Sequence, residues 1–281
     1  MDQPSVGIIG FGMIGRRFSE KILAAGLELT VYEIAAEKLA AAVELGAQAA
    51  ASAREATERS DQVLLCLPGS PEVEAAMNGP DGILQGVGEG KLIIDTGTTR
   101  PSTDIEYAAK VRERGGRMVD APLTGRAPGP IMMVGGSDED FREAEKLLKI
   151  VAYKVVHAGP LGHGQRLKLV NQFILAGRLS VFAEAVNMAQ RLGLSREMVT
   201  EALEFGEAQA LIERRFSVPG GQLLALHTKD LGYLSELIEE EDVYAPLTKV
   251  VTEAFRETRS RAEPDWSQPS VMTHWETQQG A

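Results

Sequence analysis

Short apolar runs alternate with helix-like segments through the first 160 or so residues of the chain. Seven runs have the length and apolar content of strands: SVGIIG, LTVYE, QVLLCLP, KLIIDTG, GRMVDAP, IMMVGG and YKVVHAG. The segments between them carry apolar residues at helical spacing. This alternation predicts an α/β fold with a mostly parallel sheet covered by helices.

The strand pattern stops near Gly159, which predicts a domain boundary. We expect residues 1–162 to form the sheet domain and residues 163–281 to form an all-helical domain. The second domain is predicted to open with one long helix, GQRLKLVNQFILAGRLSVFAEAVNMAQRLG, with Ser195 capping the next helix. The alanines and leucines of residues 173–192 indicate either a shared subunit interface or intradomain core.

Composition restricts the possible classes of function. With 281 residues, 44% of them hydrophobic, the chain is large enough for a substantial core. No run of eighteen apolar residues occurs and MDQPSV does not resemble a signal peptide, so we expect a soluble, cytoplasmic protein without a membrane partner. A net charge of −11 without a basic run predicts no nucleic-acid partner. One cysteine and four scattered histidines predict no disulfide and no metal cofactor.

The stretch VGIIGFGMIGRRF places three glycines in GxGxxG spacing between a strand and a helix. Gly10 permits a tight turn, Gly12 lets the backbone approach a pyrophosphate, and Gly15 lets helix and strand pack closely. The amides at the start of the helix attract phosphates. The pattern predicts a Rossmann-type, doubly wound domain that binds a dinucleotide through Gly10, Phe11, Gly12, Met13, Ile14 and Gly15. Packing alone is the alternative explanation of the glycines.

Glu33 ends the second predicted strand, eighteen residues after Gly15. An acidic side chain at this position accepts hydrogen bonds from the adenosine ribose and repels a 2′-phosphate. We therefore expect NAD to be preferred over NADP, although Arg16, Arg17 and Lys38 are cations that weaken the argument.

The stretch GHGQRLKLVNQ places Lys168, Asn171 and Gln172 on one face of a helix. A solvated lysine is the ordinary interpretation. However, the neighbouring residues are apolar, and Gly162 and Gly164 would allow close approach to the helix start. An amine beside the positive nicotinamide ring and an apolar wall has its pKa lowered from about 10.4, as a general acid or base requires.

Taken together, these motifs resemble the β-hydroxyacid dehydrogenases, a family that includes 3-hydroxyisobutyrate dehydrogenase and tartronate semialdehyde reductase. Similarity to 6-phosphogluconate dehydrogenase is more distant. The resemblance runs over nearly the whole chain in six motifs that keep the family's order: GIIGFGMIG, CLPGSPEVEAAMNGPDGI, IIDTGTTRP, DAPLTG, GHGQRLKLVNQ and LHTKDL.

The resemblance implies a role for each matching residue. Lys168 would be the catalytic acid/base, with Asn171 and Gln172 orienting the substrate. Gly97 stands where the family usually has a serine. The implied cofactor contacts are Leu67, Pro68, Thr98 and Lys229, the last supported by Asp230.

The substrate loop, DAPLTGRAPGPIMMVGG, departs from the family pattern and is several residues shorter. Thr124 and Gly125 would bind the substrate's acid group. Arg126 replaces a glycine, and its guanidinium would either clamp an anionic group or cover the shortened loop. The site is expected between the two domains, at the carboxyl ends of the strands.

The implied reaction is the reversible NAD(P)-dependent oxidation of a small β-hydroxy acid, or a related anionic hydroxy compound, to its semialdehyde or keto form. The family also implies a homodimer or homotetramer. One alternative is an imine reductase or reductive aminase on the same scaffold, against which Lys168 argues. Another is a non-catalytic NAD-binding sensor, which would have no reason to retain the lysine.

Overall fold

The computed structural model describes residues 4–125, 128–203 and 223–277. The chain divides into two compact units, Met1–Lys168 and Leu169–Ala281. This division falls inside the long helix, and the boundary expected after residue 162 stays a prediction.

The first unit contains all seven strands that the sequence predicts and two that it does not. The strands are β1 Val6–Ile9, β2 Leu29–Tyr32, β3 Gln48–Ala49, β4 Gln62–Leu65, β5 Leu92–Asp95, β6 Arg117–Asp120, β7 Leu123–Thr124, β8 Ile131–Gly135 and β9 Lys154–Gly159. The helices are α1 Met13–Ala24, α2 Ala36–Glu44, α3 Ala53–Glu58, α4 Ser70–Met77, α5 Ile83–Gly86, α6 Pro101–Arg112 and α7 Asp138–Val151. The two unpredicted strands, β3 and β7, have two residues each, which is too short for a periodic pattern.

The strands form one mixed sheet in the order β3-β2-β1-β4-β5-β6-β8-β7, with β9 paired to β8. Strands β1 to β6 are parallel, whereas β8 runs antiparallel to β6. Chain order reverses between β1 and β4, which makes this the switch point at which doubly wound sheets bind ligands.

Both faces of the sheet are buried, as a helix-covered parallel sheet requires. Alternate residues along a strand belong to different apolar clusters. Ile8 and Leu64 pack in one cluster with Phe18, and Ile9 and Val63 pack in the other. The predicted α/β class is confirmed.

The described residues of the second unit form helices joined by short turns and irregular segments, without a strand. Helix α8, His163–Arg191, continues into it from the first unit. Its further helices are α9 Arg196–Leu203, α10 Leu223–Glu240, α11 Pro246–Arg261, a 3-10 helix Gln268–Val271 and α12 Met272–Thr277. The predicted cap before α9 is confirmed, because Ser195 Oγ accepts a hydrogen bond from the Met198 amide at 3.1 Å.

Helix α8 has one buried and one exposed apolar face in the second unit. Ala176, Leu179 and Ala183 are buried in that unit's own apolar clusters. These three residues therefore follow the intradomain-core alternative, and a subunit interface elsewhere on residues 173–192 stays a prediction. By length and composition alone α8 could cross a membrane, and 44% of its most apolar window is buried within the protein.

Candidate active site at the carboxyl ends of the strands

The glycine turn follows β1 and leads directly into α1. Gly10 has φ +95°, and a Cβ on Gly15 would lie 2.1 Å from the Gly10 carbonyl oxygen. A Cβ on Gly12, by contrast, would meet no described atom within 4 Å. No described side chain caps the first turn of α1, so its amides remain available to a phosphate. This turn fits a dinucleotide pyrophosphate.

Glu33 is bonded to the glycine turn. Its carboxylate accepts hydrogen bonds from the Phe11 amide at 2.7 Å and from the Ala35 amide at 3.0 Å. Each carboxylate oxygen has a further lone pair to offer a ribose hydroxyl. The side chain therefore braces the cofactor turn, a role that the sequence did not predict.

The other predicted cofactor residues of this unit follow the neighbouring strands. Leu67 and Pro68 come directly after β4, and Thr98 comes after β5, which pairs with β4. A Cβ on Gly97 would lie only 2.6 Å from the Leu67 carbonyl oxygen. Glycine replaces the family's serine here because this backbone leaves no room for a side chain.

Three fully buried aspartates lie behind the Thr98 loop. Asp95 and Asp120 are register partners at the ends of β5 and β6, and Asp104 lies on α6. The Thr99 hydroxyl lies 3.1 Å from Asp95 Oδ2 and 3.0 Å from Asp104 Oδ2. This cluster was not predicted from the sequence, although two apolar strands that each end in aspartate were a usable signal.

The geometry of the cluster requires a shared proton. One hydroxyl hydrogen can be donated to only one of two carboxylates at a time, so the second contact needs a protonated carboxyl group. Burial, followed by the charges of Asp95 and Asp120, raises the pKa of Asp104 well above its usual range. Asp104 is therefore the carboxyl group to which we assign the proton of this cluster.

The protonated Asp104 makes stability dependent on pH. Because its folded-state pKa is raised, its contribution to the free energy of unfolding is present at low pH and is lost as pH rises through that pKa. We expect Asp104→Asn, which cannot ionise, to flatten the fall in stability that urea unfolding shows as pH rises above about 4, the ordinary pKa of an aspartate. The exposed aspartate variant Asp265→Asn should follow the wild-type curve. Equal slopes for wild type and Asp104→Asn would contradict the assignment.

Asp120 anchors the start of helix α8. Its two carboxylate oxygens accept hydrogen bonds from the Gly162 and Gln165 amides, each at 2.7 Å. Burial raises the pKa of Asp120 to about 6, and these two amide bonds oppose the rise. The carboxylate thus satisfies amides at the helix N-terminus that would otherwise lack partners.

Gly164 allows a close approach to the start of α8, as predicted. A Cβ at this position would lie 2.2 Å from the Met133 carbonyl oxygen and 2.7 Å from Asp120 Oδ2. The approaching group is therefore the protein's own strand β8.

Lys168 follows one turn after Gln165, and the residue is only 9% exposed. The ordinary interpretation, a solvated lysine on an amphipathic helix, is therefore wrong. Burial of a lysine is uncommon and marks positions where the amine has a specific role.

In the second unit, Asn171 and Gln172 belong to a polar chain that reaches Lys229. Asn171 Nδ2 lies 3.5 Å from Gln172 Oε1, and Gln172 Nε2 donates to Asp230 Oδ2 at 2.5 Å. The buried Asp230 in turn pairs with Lys229 at 3.1 Å. The structure thus places Asp230 as the support of Lys229. The substrate and cofactor roles of Asn171, Gln172 and Lys229 stay predictions.

The substrate loop begins as a short hairpin. Thr124 ends β7, which pairs antiparallel with β8, and Gly125 follows with φ +86°. Both residues come shortly after Asp120, at the same end of the sheet as the glycine turn. Arg126 lies outside the described residues.

Fold and site together define a class of protein. The chain combines the glycine turn, an acidic residue after β2 and a buried lysine. This combination is typical of an oxidoreductase that uses a nicotinamide dinucleotide. Residues 5–159 match the NAD binding domain of 6-phosphogluconate dehydrogenase, and residues 162–275 match the NAD-binding domain of NADP-dependent 3-hydroxyisobutyrate dehydrogenase. The chain belongs to the β-hydroxyacid dehydrogenase family.

Characterised relatives cover nearly the whole chain. A 2-(hydroxymethyl)glutarate dehydrogenase from Eubacterium barkeri is 29% identical, over 98% of this chain and 96% of that protein. A 2-hydroxy-3-oxopropionate reductase from Escherichia coli is 30% identical, over 89% of each. The solved structure of Mycobacterium tuberculosis 3-hydroxyisobutyrate dehydrogenase with L-serine superposes with a TM-score of 0.85 at 25% identity, covering 97% of this chain and 99% of that one.

Imine reductases share the fold. An imine reductase variant from Myxococcus stipitatus superposes with a TM-score of 0.66 at 19% identity, covering 98% of this chain and all of that one. At this identity the likeness shows the fold alone.

Proposed function

We propose that this chain catalyses the reversible, nicotinamide-linked oxidation of a small β-hydroxy acid to its semialdehyde or keto acid. The observation that carries the proposal is the buried Lys168, one turn after the helix start that Asp120 anchors. The relatives named for small hydroxy acids support the same chemistry.

The bound dinucleotide supplies the hydride acceptor, and the chain supplies binding, orientation and the proton acceptor. The glycine turn and the α1 amides would hold the pyrophosphate, and Glu33 would accept hydrogen bonds from the ribose. Lys168 Nζ would take the proton of the substrate hydroxyl as that carbon is oxidised to a carbonyl. In reduction the same amine returns the proton.

The substrate is proposed to be anionic. Thr124 and Gly125 offer a hydroxyl and an amide to its acid group, which orients the reacting carbon. Asn171 and Gln172 would complete the binding of the substrate. If the Arg126 guanidinium clamps the acid group of the substrate, Arg126→Ala should raise KM for the best substrate.

Turnover tests the proposed function directly. NADH formation or consumption is followed with a panel of β-hydroxy acids, semialdehydes and imines. We expect turnover of at least one hydroxy acid or semialdehyde and none of the imines. Imine reduction alone would establish the imine reductase alternative, and NAD binding without any turnover would establish the sensor.

We propose NAD as the preferred cofactor because Glu33 carries a negative charge beside the glycine turn. One of the matching family models is described as NADP-dependent, so the preference needs its own test. Glu33→Gln keeps the size of the side chain and removes the charge that repels a 2′-phosphate. We expect the ratio of kcat/KM for NAD to that for NADP to fall at least tenfold, about 1.4 kcal/mol. An unchanged ratio would refute the role of Glu33 in specificity.

We also propose a cytoplasmic homo-oligomer that uses the exposed apolar face of α8. Ile174, Val181 and Met188 are each more than half exposed and recur every seven residues. This spacing favours packing against a second helix, and a second copy of the chain is the proposed partner. Light scattering of wild type and Val181→Glu would test it, with a monomeric wild type contradicting the proposal.

A further inference from the structure

Gln165 bonds the first turn of α8 to the loop that carries Thr98. The residue is fully buried. Its Oε1 accepts a hydrogen bond from the Thr99 amide and its Nε2 donates one to the Gly97 carbonyl, each at 3.2 Å. Both ends of the carboxamide are therefore bonded to backbone on either side of Thr98.

The backbone of Gln165 is fixed as well. Its amide donates to Asp120 Oδ2 at 2.7 Å, and the preceding Gly164 is packed against the Met133 carbonyl. Rotation of the helix by one residue, about 100°, would break all three hydrogen bonds at once. The register of α8 on the sheet is thus set at Gln165.

The loop is held from its other side. The Gly97 amide donates to Asp95 Oδ1 at 2.9 Å, and Gly97 lies against the Leu67 carbonyl. The backbone is therefore held by hydrogen bonds on both sides of Thr98, at Gly97 and at Thr99.

Lys168 lies three residues after Gln165, so the two side chains project from neighbouring positions on one helix face. We propose that Gln165 is a positioning residue of the reaction: its carboxamide fixes the Lys168 amine relative to the cofactor loop at Thr98. The proposal rests on the proposed function of Lys168. A displacement of about 1 Å at a reacting group can lower the rate on the order of 10²-fold.

A merely structural role would predict something different. Loss of two buried hydrogen bonds lowers stability whether or not chemistry occurs nearby. A positioning role makes a further prediction. Removal of the Gln165 carboxamide should lower the rate only in a protein that still has Lys168, because groups that act as a unit give non-additive effects.

The test is a double-mutant cycle at a temperature well below unfolding. Gln165→Met keeps the length of the side chain and removes the carboxamide, and Gln190→Met is the control at an exposed position of the same helix. We expect Gln165→Met to lower kcat 30- to 100-fold, on the scale of such displacements, with KM and the Kd of NADH within about threefold. In a Lys168→Met background the same change should lower the residual rate less than about twofold.

The outcomes separate this inference from the proposed function. If Lys168→Met retains most activity, the proposed function fails and Gln165 loses its stated role with it. If Lys168→Met falls to a small residual rate but Gln165→Met has a near-normal kcat, or the two effects multiply, only the positioning inference is overturned.

A second variant covers the case in which Gln165→Met does not fold. Gln165→Asn retains the carboxamide but is one methylene too short to reach both partners. We expect a reduced kcat and faster hydrogen exchange of the Thr99 amide, which Gln190→Asn should leave unchanged. A normal kcat, or a reduced kcat with unchanged exchange at Thr99, would overturn the inference.

Discussion

Lys168→Ala should lower turnover of the best hydroxy acid to a small residual rate while the Kd of NADH changes less than about threefold. General acid–base groups contribute typically 10²- to 10⁴-fold, and we expect a loss of about 10³-fold, equivalent to about 4 kcal/mol of barrier. The physical reason is that the hydroxyl proton would then have no buried amine to receive it. Steady-state kinetics and NADH fluorescence titration measure the two quantities.

Two controls make the Lys168 result specific. Lys168→Met retains an apolar stem of similar length, so it separates loss of the amine from loss of packing. Lys146→Ala, at an exposed position of α7, tests whether any lysine deletion affects the rate. Activity within tenfold of wild type in either Lys168 variant would remove the amine from the mechanism.

Gly12→Ala and Gly15→Ala should have opposite effects. A Cβ at Gly12 meets no described atom and the backbone has φ −75°, so this variant should fold with a nearly unchanged Tm. It should bind NAD at least tenfold more weakly, because the methyl group stands where the pyrophosphate approaches.

Gly15→Ala places its methyl group 2.1 Å from the Gly10 carbonyl oxygen, and backbone cannot yield as a flexible side chain does. We expect destabilisation of about 3 kcal/mol or more, at the upper end of overpacking costs. Thermal unfolding and NADH titration of both variants measure the contrast. A stable Gly15→Ala protein would refute the packing role, and normal NAD affinity of Gly12→Ala would refute the cofactor role.

Much of the fold could be predicted because its signals are local. Seven strands and the glycine turn are each contained in a few consecutive residues, whose pattern suffices to assign them. The two-residue strands β3 and β7 are too short to show an alternation of apolar and polar residues, so the sequence could not predict them.

The site was harder to predict because it depends on residues far apart in the chain. Asp95, Asp104 and Asp120 meet only when β5, α6 and β6 are assembled, and nothing in their local sequence indicates a shared proton. Gly164 was predictable only in part. Its small size predicts a close approach, but the local sequence does not show that the approaching group is the backbone of β8.

The role of Lys168 is tested most directly by the structure of a ternary complex with NAD+ and the best substrate or an unreactive analogue. We expect Lys168 Nζ to lie within hydrogen-bond reach, roughly 2.6–3.2 Å, of the oxygen that gains or loses the proton. An amine that faces bulk water, far from that oxygen, would exclude Lys168 as the acid/base of the reaction.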